Sequence, residues 1–236
     1  MNPPSFRWLI PGLILLLGAS KALAAALVDD FSVESVELNT AAPPPFPIDT
    51  TQVLNGLGQT VSRTFSVGAA TGMAQVQVFQ GSFGFIAEPA SGSVASLGYD
   101  SFTADLSATP FLRLDFLSIV GIGSMAIELR GASGTQTTGL IEQQLVSGAG
   151  ISRFFDVRTF ADYQPGFLSD VDFLILAFAG TEGQFFDLKL DRISFTGDAG
   201  LGGEIPEPAA TAGFAGALLG LLGLARRARS RSRTRS

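Results

Sequence analysis

Residues 27–203 offer short period-two runs separated by turn residues, and no convincing 3.6-residue apolar stripe. That pattern constrains the chain more than any other, because a helix needs a stripe to bury and a strand needs only alternation. Strand-like runs fall at 60–67, 73–79, 84–87, 93–97, 111–118, 125–129, 139–145, 151–157, 171–178 and 185–195, with Gly, Ser, Asp or Pro between nearly all of them. Many short strands with such punctuation predict an all-β sandwich or barrel. Before them, 27–38 reads as a short strand of mixed faces. Residues 41–47 (AAPPPFP) cannot be regular structure, and the stretch on to Gly58 reads as a long loop.

The last run is informative residue by residue. Phe186, Leu188 and Leu190 alternate with Asp187, Lys189 and Asp191, whereas Ile193 and Phe195 carry the opposite parity. A one-residue slip would put Ile193 and Phe195 in water, so a β-bulge is expected at Asp191–Arg192. Residues 131–135 (GASGT) read as a hairpin connection.

The chain has no cysteine and no histidine, which removes disulfides, the Cys nucleophile, the His-based triad and His-rich zinc sites. Gly121-Ile122-Gly123-Ser124-Met125-Ala126 fits G-x-G-x-x-A, but strand-like residues follow it instead of a helix, so it reads as a turn. Paired-carboxylate glycosidase chemistry would need two acids about 5 to 10 Å apart. Glu128 and Asp115 are the candidates, and both read as solvent-facing strand residues. The expectation is a protein that is not an enzyme. All 21 acids lie within 27–208 against seven bases (Arg63, Arg113, Arg130, Arg153, Arg158, Lys189 and Arg192), which leaves a formal charge of −14 there. Such a balance disfavours nucleic acid and other phosphate-rich partners. Twenty phenylalanines stand against one tryptophan and two tyrosines. Tyr163, in a loop sequence, is the candidate for ligand stacking, with ordinary loop packing as the alternative.

Both ends read as targeting segments. Arg7, an apolar stretch from Trp8 to Leu17 and the small residues Ala22-Leu23-Ala24 and Ala24-Ala25-Ala26 read as a signal peptide over 1–26. At the other end, 204–236 holds Pro206-Glu207-Pro208, an apolar run over 209–225, and a tail, 226–236, with Arg226, Arg227, Arg229, Arg231, Arg233 and Arg235. As a helix the run would span roughly 25 Å, slightly short of the ~30 Å hydrocarbon core. The arginines hold that end in the cytoplasm and put 27–203 outside.

The Pro-Glu-Pro triplet, short apolar helix and arginine-rich end, in that order, resemble the PEP-CTERM sorting signal. The resemblance implies processing by an exosortase near Pro206 to Pro208, transient anchoring in the inner membrane, and release to the cell surface or an exopolysaccharide-associated biofilm matrix. A second resemblance covers the mature region. Asp29-Asp30-Phe31, the run 104–116 (ADLSATPFLRLDF), a strand pair about Gly131, 155–160 (FDVRTF) and 188–195 (LKLDRISF) look like the jelly-roll sandwiches of carbohydrate-binding modules and galactose-binding-like domains. In such modules the first and last strands lie together at one edge, and many hold calcium there. The resemblance therefore implies a structural calcium ion held by Asp29, Asp30 and Asp191. The functional expectation is an exported structural or adhesive matrix protein; a polysaccharide-binding module is the first alternative, and a glycoside hydrolase the second.

Overall fold

The computed structural model describes residues 26–35, 37–40, 47–69, 72–89, 93–131 and 141–197. The signal peptide, the Pro-Glu-Pro triplet, the apolar run 209–225 and the arginine tail lie outside them. Among the described residues no helix is long and apolar enough to cross a membrane.

Among the described residues there are eleven strands: β1 (Ala26–Asp29), β2 (Leu38–Thr40), β3 (Ile48–Leu54), β4 (Thr60–Gly68), β5 (Ala74–Phe79), β6 (Ser82–Ala87), β7 (Val94–Ala104), β8 (Phe111–Gly131), β9 (Ile141–Asp156), β10 (Val171–Gly180) and β11 (Phe186–Thr196). Every pairing is antiparallel, in the order β2-β5-β6-β11-β8-β10-β7-β4-β3, with β1 on β11 and β9 on β8. The order folds into an all-β antiparallel sandwich, nearly a closed barrel. One layer is β2-β5-β6-β11 with the first half of β8, and the other is β3-β4-β7-β10 with its second half. β8 belongs to both because its partner along one edge changes from β11 to β10 near Gly121, while β9 follows it on the other edge.

Gly121 and Gly123 make that change feasible. Gly121 has φ +87, and a Cβ there would stand 2.1 Å from the Phe185 carbonyl oxygen; one at Gly123 would stand 2.6 Å from Ala179 O and from the Phe186 ring. The glycines are therefore a bend within a strand, as Gly often is where a strand turns a corner. This corrects the expected turn, and β8 and β9 each fuse two runs that read as separate strands. The β8–β9 pairing agrees with the expected hairpin, although residues 132–140 lie outside the described ones.

Two further expectations are corrected. Ile48–Leu54 is strand β3, read as loop because only Val53 is buried and the rest is polar or exposed, as an edge strand permits. Residues 27–38 are not one strand, since β1 ends at Asp29 and β2 begins at Leu38. The bulge at Asp191 is present: Leu190 pairs with Phe116 and Arg192 with Asp115. A second irregularity faces it, because Lys189 pairs with Ser118 and leaves Leu117 over. Phe186, Leu188, Leu190, Ile193 and Phe195 are all in the core, as the parity argument requires.

Candidate functional site

Parity divides the second layer into an inner and an outer face. Along β10, Leu174, Leu176 and Phe178 enter the core cluster; along β8, Met125, Ile127 and Leu129 do. Their alternates point the other way. Phe173, Ile175, Ala177 and Ala179 on β10, Ala126 on β8 and Val94 on β7 are buried apolar residues outside the core cluster. Phe173 and Ile175 are only 8% exposed although they face outward. The layer therefore carries a recessed apolar stripe on its outer side.

Register places polar groups beside the stripe. One row reads Thr50, Thr64, Gly98, Ile175, Glu128 across five strands; the row on one side reads Gln52, Ser62, Asp100, Phe173, Arg130, and that on the other Ile48, Ser66, Ser96, Ala177, Ala126. Hydroxyls and an amide pair among themselves at the β3-β4-β7 side: Thr50 with Thr64 at 3.1 Å, Ser66 with Ser96 at 2.7 Å, and Gln52 Nε2 donating to Ser62 Oγ at 2.7 Å. At the other side the Arg130 guanidinium lies 4.3 Å from the Phe173 ring centroid and its Nε donates to Glu128 at 2.7 Å. Burial and the neighbouring Asp170 and Asp100 push the Asp172 carboxyl above its ordinary range.

Gly98 sits in the middle of this face, in ordinary strand conformation. A Cβ there would meet nothing closer than Thr64 O at 3.7 Å and Ile175 Cγ1 at 3.9 Å, so packing does not demand glycine. Glycine inside a strand costs stability and often marks close approach by a ligand. The missing side chain leaves a hollow, hydroxyl-lined on one side and apolar on the other. Sequence reasoning missed Gly98; the available signal was a glycine at an outward position between Leu97 and Tyr99.

The expected site residues fall elsewhere. Tyr163 is half-buried against the core edge, its ring 6.3 Å from that of Phe167 in a T-shaped arrangement, which is loop packing. Asp29 is buried, with Oδ1 accepting from Phe31 N at 2.7 Å and Oδ2 from Arg63 Nη1 at 3.0 Å and Tyr99 OH at 2.9 Å. Asp30 is exposed and accepts from Ser32 N at 3.1 Å; bonding by Ser32 holds its carboxyl below the usual range. Asp191 occupies the bulge. β1 and β11 are neighbours, as the resemblance implied, but among the described residues no group of three or more Asp or Glu side chains could hold a metal ion. Asp115 and Glu128 point outward from opposite layers and so cannot form a carboxylate pair; each is bonded to an arginine two residues away on its own strand.

No family model and no curated protein matches the chain. Among solved structures it is similar to the family 11 carbohydrate-binding module of a cellulosomal cellulase of Clostridium thermocellum, at 14% identity and TM-score 0.40, over 75% of this chain and 96% of the module. The family 11 module of that organism in complex with a β-1,3-1,4-mixed-linked tetrasaccharide gives 12% identity and TM-score 0.39, over 79% and 99%. An exo-β-agarase gives 10% and 0.41, over 78% of this chain and 25% of the enzyme. At such scores the likeness carries no argument about a ligand, and the sandwich rests on its own strand order.

Proposed function

We propose that the domain is a non-catalytic polysaccharide-binding module of an exported protein, and that the outer face of the β3-β4-β7-β10-β8 layer is where the polysaccharide lies. The observation that carries this reading is the hollow at Gly98, a glycine that packing does not require at the centre of a half-apolar, half-hydroxyl face. A pyranose ring has the matching chemistry, with an apolar C–H face and hydroxyls at its edge. Ile175, beside the missing Gly98 side chain, would meet the first, and Thr64, Ser96 and Asp100 the second. The carboxylates Asp100, Glu128 and Asp172 around a single arginine favour a neutral polysaccharide over a polyuronate.

This reading sets binding ahead of a purely structural or adhesive role, because a strand glycine that packing does not require costs a scaffold stability with no return. Export through the 1–26 leader, inner-membrane anchoring by 209–225 and exosortase processing at Pro206-Glu207-Pro208 remain part of the proposal, on the sequence motifs alone. They would deliver the module to the cell surface or matrix.

Affinity electrophoresis against neutral β-glucans, agarose and an alginate tests the binding. Retardation by a neutral polysaccharide, lost in Gly98→Trp while the melting temperature holds, is the expected result. Unchanged retardation of Gly98→Trp, or no retardation by any of the gels, overturns it.

A further inference from the structure

The carboxylate of the first strand, Asp29, already has a cation, and that cation is a side chain. Arg63 points inward from β4 between Val61 and Phe65, and both it and Asp29 are almost wholly buried, at 0% and 4% exposure. The guanidinium donates through Nη1 to Asp29 and through Nη2 to Val33 O, and lies 5.9 Å from the Phe31 ring centroid. Tyr99, its cross-strand neighbour on β7, donates to the same Asp29 oxygen. Asp29 belongs to β1, which pairs with β11 of the opposite layer, so the contact ties the two layers together through the core.

Calcium in this place would require six to eight oxygens at about 2.3 to 2.6 Å. Asp29 already accepts three hydrogen bonds, two of them at Oδ2, and a dication beside Oδ2 would face the guanidinium across a few ångströms of low-permittivity interior, where like charges repel strongly. Asp30 turns away to bond Ser32 N, Asp191 is on the other strand's bulge, and among the described residues no three carboxylates come together to hold a metal ion. The residues therefore do not fit the calcium ion that the jelly-roll resemblance implied.

We infer that Arg63 is the resident cation of this fold, performing internally the cross-linking of first strand to opposite layer for which a metal would otherwise serve. Asp29 is then an acceptor for Arg63 and Tyr99, and the first strand docks without calcium.

Thermal unfolding of the purified full-length chain, stripped with a chelator, tests this without any variant. Millimolar calcium should move the melting temperature by less than about 1 °C, whereas occupancy of a site at a hundred times its dissociation constant would raise it by roughly 5 to 11 °C. Arg63→Met and Asp29→Asn should each lower it by about 6 to 20 °C, since each strands a buried partner. The double variant should lose distinctly less than the sum of the two, because the two groups answer each other. A calcium-dependent rise in the native chain that Asp29→Asn abolishes overturns the inference, and so do strictly additive losses.

Discussion

The outer faces of the two layers solve the same problem in opposite ways. On the layer holding β11 and the first half of β8, charged side chains find their partners close by: Arg113 Nε donates to Asp115 at 2.8 Å, Ser152 hydroxyl bonds the same carboxylate, Arg158 holds Asp156 at 2.8 Å, and the two guanidinium groups lie 5.5 and 5.2 Å from the Phe154 and Phe111 rings. On the other layer the hydroxyls pair with one another, Phe173, Ile175 and Ala177 are buried although they face outward, and a glycine leaves a gap. Local pairing on the first face ties up those charges, although Arg153 Nε and Asp187 Oδ1 on the same layer are buried without a hydrogen-bond partner. On the second face Gly98 leaves room beside Ile175, so a ligand ring could be seated there without displacing a side chain.

Glycines make the sharpest test of this contrast. Gly84 stands on the outer face of β6 with nothing nearer than Gln77 Cγ at 3.9 Å, so it has the same freedom as Gly98 on the opposite side. Gly98→Trp should cut polysaccharide affinity by more than about tenfold, worth 1.4 kcal/mol, and Gly84→Trp should leave it unchanged. Equal losses in the two would erase the distinction between the faces. The two faces are also told apart by stability and affinity read together. Leu188→Ala, in the core, should cost about 2 to 5 kcal/mol by chemical denaturation with affinity unchanged, and Ile175→Ala, buried on the outer side, about 2 kcal/mol, at the low end of that range, while affinity falls. Unchanged affinity in Ile175→Ala would make the stripe a second core instead of a binding surface.

Smaller effects follow on the ionic face. Arg113→Ala removes a partly exposed pair and should cost no more than about 1 kcal/mol, with binding unaltered. The pH dependence has its own marker in the interior. Burial first, and then the Asp29 charge, raise Tyr99 well above its ordinary 10.0. The unfolded chain thus gives up this proton at a lower pH than the folded one. The stability Tyr99 contributes is whole below about pH 10 and is lost as pH rises toward its folded value, at about 1.4 kcal/mol per pH unit. Tyr99→Phe should flatten that alkaline fall.

Much of the fold was legible where one residue of parity had only one interpretation. Ile193 and Phe195 could be buried only if Asp191 was looped out, and it is. The paired irregularity at Leu117 was not legible, because Leu on either face of 111–118 reads equally well. β3 was hidden by its edge position, where Thr50, Thr51 and Gln52 need no burial. The break in β8 was misread because Gly121 and Gly123 serve as a bend forced by contact with Phe185 and Phe186, and that contact is remote in sequence. The Arg63 contact depends on three strands at once. Its one local sign was a charged residue at an inward position between Val61 and Phe65.

The adjacency of β1 and β11 also decides how the domain carries a mechanical load. Ala26 pairs with Phe195 and Leu27 with Ser194, so the chain enters and leaves the sandwich side by side. Tension drawn on the C-terminal side of Thr196 runs along β11, whose ladders to β8 and β6 lie across the pull and resist together, in shear. β8 passes that force directly into the layer that carries the Gly98 hollow. A load hung on that face and held from the C-terminal side therefore bypasses the first strand. Tension applied between the two chain ends would instead peel β1 from β11 one bond at a time, the weaker geometry.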